Sequence, residues 1–133
     1  MSSPSSQPRI AVIDDEPSLR MVFSLALTTA GFVAESFSGP AEFLEKQEHC
    51  DLSLLVVDLR MPGMDGLTLL SKLQQMGRQV PAILCSANVT PVIEQQAQDL
   101  GICRILHKPV SAQILRQTAT EVLEEQGALL PES

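Results

Sequence analysis

The run Leu54, Leu55, Val56, Val57 is the feature that most constrains what this chain can fold into. Four aliphatic residues in a row stop at Asp58, and Pro62, Gly63 and Gly66 come within a few positions. A strand without period-two alternation is one covered on both faces, as in parallel sheets with helices on either side. The same theme recurs along the chain. Arg9 to Ile13 ends at Asp14, Asp15 and Glu16; Ala82 to Cys85 ends at Ser86; Cys103 to Leu106 runs out at Lys108 and Pro109. Val33 to Phe37 is a further strand candidate, and the central strand is placed at Leu52 to Val57.

Helical periodicity fills the intervals. Ser18 to Ala30 carries Leu19, Val22, Phe23, Ala26 and Ala30 at helical spacing, with Gly31 where a C-terminal cap belongs. Gly39 to Glu48 is a weaker helix bearing Ala41, Phe43 and Leu44, and Leu67 to Met76 is a Leu-rich one closed by Gly77. Thr90 and Pro91 suit the N-cap and first position of a helix over Val92 to Leu100, with Ile93, Ala97 and Leu100 as its stripe. Ser111 is an N-cap candidate for a last helix lined by Ile114, Leu115, Thr118, Ala119, Val122 and Leu123. Five strand–helix alternations predict an α/β fold, a doubly wound (βα)5 domain with a parallel sheet. With 133 residues the chain has room for one such core. The expected organisation is a leader over 1–8, the domain over 9–126 and a tail or linker stump over 127–133.

Composition narrows the function classes. A hydrophobic fraction of 44% and a charged fraction of 19% fit a globular core. The net charge of −7 opposes phosphate backbones and anionic lipid, so direct binding of nucleic acid or membrane is not expected. Cys50, Cys85 and Cys103 form neither a C-x-x-C pair nor a zinc-ligand spacing and read as small hydrophobes in a reducing compartment. His49 and His107 read as surface residues, and Met61 and Met64 as packing or partner contacts. No signal peptide or membrane-spanning run is visible, so a cytoplasmic location is expected.

In an open parallel sheet the C-terminal strand edges line one crevice, so Asp14, Asp15, Asp58, Ser86 and Lys108 should meet there. Clustered carboxylates raise one another's pKa unless a cation neutralises them, and an all-oxygen set suits Mg2+. Such a site keeps room for phosphate oxygens. Lys108 and Ser86 can address those oxygens, and a remaining carboxylate can act as nucleophile on phosphorus. The chemistry indicated is phosphoryl transfer to aspartate.

The segments I-D-D-E at 13–16, D-L-R-M-P-G-M-D-G at 58–66, S-A at 86–87 and K-P at 108–109 resemble response-regulator receiver domains of two-component signalling. The resemblance implies a flavodoxin-like sheet in the order 2-1-3-4-5. It implies Asp58 as phosphoacceptor, Asp15 as a direct Mg2+ ligand, Asp14 as a second acid acting partly through water, and the Arg60 carbonyl as a further ligand. Lys108 would contact the phosphoryl group, Ser86 would supply the switch hydroxyl, and Lys108–Pro109 would be a cis peptide aiming the lysine inward. Ala87 matches a position kept small, and the Arg60 and Asn88 side chains overhang the site where the family tunes hydrolysis. The implied partners are a histidine kinase or histidine phosphotransfer protein upstream. Downstream, a separate protein or an attached output domain would read the face formed by helix 4, strand 5 and helix 5.

One position departs from that pattern. Where the family commonly has Tyr or Phe, three residues before the lysine, this chain has Ile105. Two other classes fit less well. A haloacid-dehalogenase-type aspartyl-phosphate phosphatase needs D-x-D after its first strand, and a flavodoxin-like electron carrier needs a Ser/Thr/Gly-rich loop there and aromatics for the flavin. Asp14 and Asp15 are adjacent, Glu16 and Pro17 come directly after them, and the chain has no Trp or Tyr. The remaining alternative is a degenerate receiver that only binds protein. The reading is therefore of a signalling domain rather than an enzyme, either standing alone or excised from a longer protein.

Overall fold

The computed structural model describes residues 7–49 and 51–128. Most of the expected leader and tail, and Cys50, lie outside the described residues. The chain alternates β1 (Arg9–Ile13), α1 (Pro17–Thr29), β2 (Val33–Phe37), α2 (Pro40–Lys46), β3 (Leu54–Asp58), α3 (Gly66–Gln75), β4 (Ala82–Ser86), α4 (Pro91–Asp99), β5 (Arg104–His107) and α5 (Ala112–Glu125). The strands are all parallel, in the order β2-β1-β3-β4-β5. That is the doubly wound arrangement expected from the resemblance.

Alternation within each strand divides the core. Ile10, Val12, Leu54, Val56, Ile83 and Cys85 face α1 and α5, packing on Phe23, Leu27, Leu115, Ala119 and Leu123. Their neighbours Ala11, Ile13, Leu55 and Val57 face α2 and α3, packing on Phe43, Leu69 and Leu73, while Leu84 meets Leu67 and Ala97. All five residues of β3 and of β4 are buried, which is why neither strand shows polar alternation.

Several boundaries and buried faces differ from the sequence reading. Ladder bonds carry strands past their apolar residues: Leu59 N–H donates to the Cys85 carbonyl at 2.9 Å and Lys108 N–H to the Ser86 carbonyl at 2.9 Å. Asp58 and Ser86 are therefore the last residues of β3 and β4, and β5 ends at His107. The second helix stops at Lys46 and tightens into a 3-10 turn over Gln47–His49. On α1 the buried set is Phe23, Ala26 and Leu27, whereas Val22 is 46% exposed and Ala30 is also exposed. On α5 Leu115 is buried and Ile114 is 47% exposed. Apolar residues stood on both sides of each seam, and the flat sheet accepts only the narrower one.

The predicted caps at Thr90 and Ser111 are in place, accepting from Ile93 N–H at 3.2 Å and Ile114 N–H at 3.1 Å. Asp65 adds a third, accepting from Thr68 N–H at 2.8 Å at the start of α3. Gly31 has φ +96°, the left-handed conformation expected just past α1.

Candidate functional site

Four strand ends bring their polar residues to one edge of the sheet. Asp14 comes directly after β1, Asp58 closes β3, Ser86 closes β4, and Lys108 comes directly after β5. Lys108 Nζ lies 2.8 Å from Asp58 Oδ1 and 3.7 Å from Asp14 Oδ2. The peptide bond from Lys108 to Pro109 is cis. Asp14, Asp58 and Ser86 are buried, and Asp15 is exposed.

Asp14 is the most tightly held acid. Its N–H donates to the Phe37 carbonyl at 3.3 Å, and its Oδ1 accepts from Glu16 N–H at 2.9 Å. Its carbonyl accepts from Arg20 Nη1 at 2.8 Å. Its Oδ2 is buried with no hydrogen-bond partner among the described residues. One carboxylate oxygen from each of Asp14, Asp15 and Asp58 lies within 4.8 Å of the others, a grouping able to hold a cation. A hard divalent cation fits this donor set: all ligands are carboxylate oxygens, and the orphaned Asp14 oxygen needs a partner.

Burial pushes the Asp14 carboxyl above its ordinary value; the Glu16 N–H works against this, and the Asp58 charge reinforces it. At Lys108 burial favours the neutral amine, but the hydrogen bond to Asp58 and the charges of Asp14 and Asp58 outweigh it and hold the pKa above normal. The ammonium is therefore firmly protonated. Burial drives the Cys85 thiol up to about 12, so it contributes packing and no nucleophile.

The Ser86 hydroxyl points to its own loop, donating to the Asn88 carbonyl and accepting from Asn88 N–H, both at 3.2 Å. Asn88 and Ala87 are exposed, and Ala87 shares a cavity of about 320 Å³ with Leu19, Phe23, Lys108 and Pro109. Arg60 is exposed two residues beyond β3, beside a separate cavity formed with Asp65, Ile93 and Gln96. Ile105 is half-buried against the cluster of Leu59, Leu67, Leu84 and Ala97. His107 is exposed, as expected.

Two residues at this edge have roles that the sequence reading did not assign: Gly66, read there only as a loop residue of the motif at 58–66, and Arg20. A Cβ on Gly66 would stand 2.6 Å from the Asp58 carbonyl oxygen, so this glycine lets α3 close against the site. Its signal was the glycine directly after the capping acid. Arg20 gave only a weak signal, a cation in the first turn of a helix.

Comparison with known proteins decides the family. A model of the response regulator receiver domain matches residues 10–120. The chain belongs to that family. The receiver is 34% identical over 127 residues to the C4-dicarboxylate transport transcriptional regulatory protein DctD of Rhizobium meliloti, covering 95% of this chain and 27% of that protein. It is 37% identical over 98 residues to the DNA-binding transcriptional regulator NtrC of Escherichia coli, covering 74% of this chain and 21% of that protein. The receiver thus spans about a quarter of these relatives' length. In fold it is similar to a CheY-like receiver from Methanospirillum hungatei, with a TM-score of 0.85 at 24% identity, covering 91% of this chain and 97% of that one. No helix among the described residues is long and apolar enough to cross a membrane.

The strain on Asp14 in this receiver has a measurable sign. A carboxyl whose folded pKa is raised contributes stability below its unfolded pKa of 3.8 and loses it as pH rises through the folded value. Ionising Asp14 in the folded chain is therefore a cost. Asp14→Asn keeps an oxygen for the Glu16 N–H and removes the charge, so in EDTA it should raise stability and Tm. The gain should fade as pH falls below 4, and added Mg2+ should stabilise the variant less than the wild type. A variant that melts lower than wild type at pH 7 in EDTA contradicts this.

Proposed function

We propose that this receiver, spanning residues 9–126, takes a phosphoryl group onto Asp58 from a phosphohistidine of a histidine kinase or histidine phosphotransfer protein. The observation that carries the reading is the Lys108 ammonium 2.8 Å from Asp58 at an edge where Asp14 and Asp15 converge. An Asp58 carboxylate oxygen attacks phosphorus in line with the departing imidazole nitrogen; the P–N bond breaks as the acyl-phosphate P–O bond forms, and the imidazole recovers a proton from water. Lys108 turns from the carboxylate to a phosphoryl oxygen, which its charge suits. Asp14, Asp15, Asp58 and the Arg60 carbonyl would hold Mg2+, which when bound neutralises charge on the phosphoryl oxygens. The receiver is a signalling domain that assists its own modification and does not turn over an external substrate. Kinase-associated relatives support the choice of donor: the Sensor histidine kinase RcsC of Escherichia coli is 28% identical over 111 residues, 84% of this chain and 12% of that protein.

Ser86 is released from Asn88 to reach the new phosphoryl group, and the α4–β5–α5 face carries the change to a downstream protein or output domain. Arg60 and Asn88 overhang the phosphoryl group and set access of the hydrolytic water. Ile105 makes this coupling looser, because a β-branched side chain lacks the two discrete placements of an aromatic ring. Losing one coupled contact of ~1 kcal/mol reduces a population shift about fivefold. Ile105→Tyr should therefore enlarge the amide-exchange response of α4, β5 and α5 to a phosphoryl mimic; a wild-type response of equal size contradicts it.

The function itself is tested with a small acyl-phosphate donor. With Mg2+ the intact protein should gain one phosphoryl group, lost on hydroxylamine treatment and mapped to the peptide holding Asp58. Uptake that is unaffected by EDTA, or that maps elsewhere, removes the reading.

A further inference from the structure

We propose that Arg20 is a positioning residue for the acidic pair, holding the Asp14 carbonyl so that Asp14 and Asp15 face Asp58 as a cation site. The inference rests on the Mg2+-dependent phosphoryl uptake proposed for Asp58 and assigns a role to a residue outside the acid, hydroxyl and lysine set.

Arg20 lies in the opening turn of α1, where its N–H makes the first helical bond, to the Glu16 carbonyl at 3.1 Å. The Cα–Cβ bonds of a helix tilt toward its N-terminus, so this side chain reaches back over the turn that joins β1 to α1. There its Nη1 donates to the Asp14 carbonyl at 2.8 Å. A helix N-terminus disfavours a cation, and the acids at this end, Asp14, Asp15 and the N-cap Glu16, all precede the helix. The guanidinium is placed against the helix dipole and finds its partner in the turn instead.

Holding this carbonyl also orients the next residue. The carbonyl belongs to the planar peptide unit that carries the N–H and Cα of Asp15, so its direction sets where the Asp15 side chain leaves the backbone. With the Phe37 carbonyl taking the Asp14 N–H and the Glu16 N–H donating to Asp14 Oδ1, the Arg20 bond completes the restraint on the turn. The buried Oδ2 is left without a hydrogen bond and faces Lys108 and Asp58. Groups that orient ligands from behind in this way typically govern metal affinity by roughly 10–100-fold.

Charge and positioning predict opposite signs here. A guanidinium beside a cation site repels the cation, so simple Coulomb reasoning has Mg2+ binding tighten when Arg20 is removed. Positioning has it weaken. Calorimetric titration of the whole chain with MgCl2 should give a Kd about tenfold or more higher for Arg20→Ala. Arg20→Met keeps the apolar stem while losing the donor, guards against lost packing, and should behave the same way. Arg20→Lys keeps a long donor and should recover affinity to within about threefold of wild type. Melting in EDTA should differ by only a few degrees among the four proteins. Mg2+ binding by Arg20→Ala and Arg20→Met that equals or exceeds wild type overturns the proposal while leaving the Mg2+ reading intact, as does an Arg20→Lys as weak as Arg20→Ala. A wild-type chain that binds no Mg2+ overturns both.

Discussion

Asp58→Asn is expected to lose phosphoryl uptake completely at this site. The reaction needs a carboxylate oxygen with a free lone pair and a full negative share of charge, and the amide that replaces it is neutral and delocalised. The same change removes one of the three carboxylates that bracket the candidate cation site, so it weakens nucleophile and electrostatics together. The fold should survive, since the Lys108 ammonium retains Asp14 Oδ2 as a neighbour at 3.7 Å and is itself only partly buried. Intact-mass measurement after incubation with a small acyl phosphate and Mg2+ reads the result, with circular dichroism as the check on folding. Asparagine-containing protein that still gains a phosphoryl group on the same peptide would mean that another side chain is the acceptor.

Gly66→Ala is expected to be the most damaging single-methyl change near the site. The new Cβ would stand 2.6 Å from the Asp58 carbonyl oxygen, 2.9 Å from Val57 Cγ1 and 3.1 Å from Leu84 Cδ1. The closest of these is backbone of a fully buried strand, bonded into the sheet on both sides, so it cannot swing aside as a flexible side chain would. Overpacking of this kind costs ~1–3 kcal/mol, and the contact with backbone argues for the upper part of that range. Alanine returns at most ~1 kcal/mol of helix propensity, and less at the first residue of α3 than in its middle. The net loss should be about 2 kcal/mol, a fall of roughly 8 °C in Tm. Because the displaced carbonyl is that of Asp58, phosphoryl uptake should slow as well. A variant that melts at or above the wild-type temperature would show that α3 can move away without strain.

Residue order indicated a parallel α/β sheet with polar groups at its strand ends, and the resemblance to receivers supplied the strand order. Short aliphatic runs that break at acids, Gly or Pro read as buried strands, helical stripes between them read as crossovers, and a parallel sheet then collects its strand ends on one side. Asp14, Asp15, Asp58, Ser86 and Lys108 were legible because each sits where an apolar run breaks, a position that pattern alone reveals. Thr90 and Ser111 were legible as caps because capping is local chemistry.

How those groups address one another is a property of packing. Sequence could not choose between Ile114 and Leu115, or exclude Val22 from the seam of α1, because the choice depends on how each helix is rotated against the sheet. Nor could it show that Lys108 stands closer to Asp58 than to Asp14, that the Ser86 hydroxyl is engaged by Asn88, or that one oxygen of Asp14 is left without a hydrogen bond. Gly66 and Arg20 carry no chemistry in isolation. Their importance lies in a 2.6 Å approach to one backbone carbonyl and a 2.8 Å bond to another, and each arises only when an element packs against the turn or strand it must hold. Periodicity records which face of an element is buried; distances between side chains on different elements are set by the packing of the whole core, to which every residue contributes.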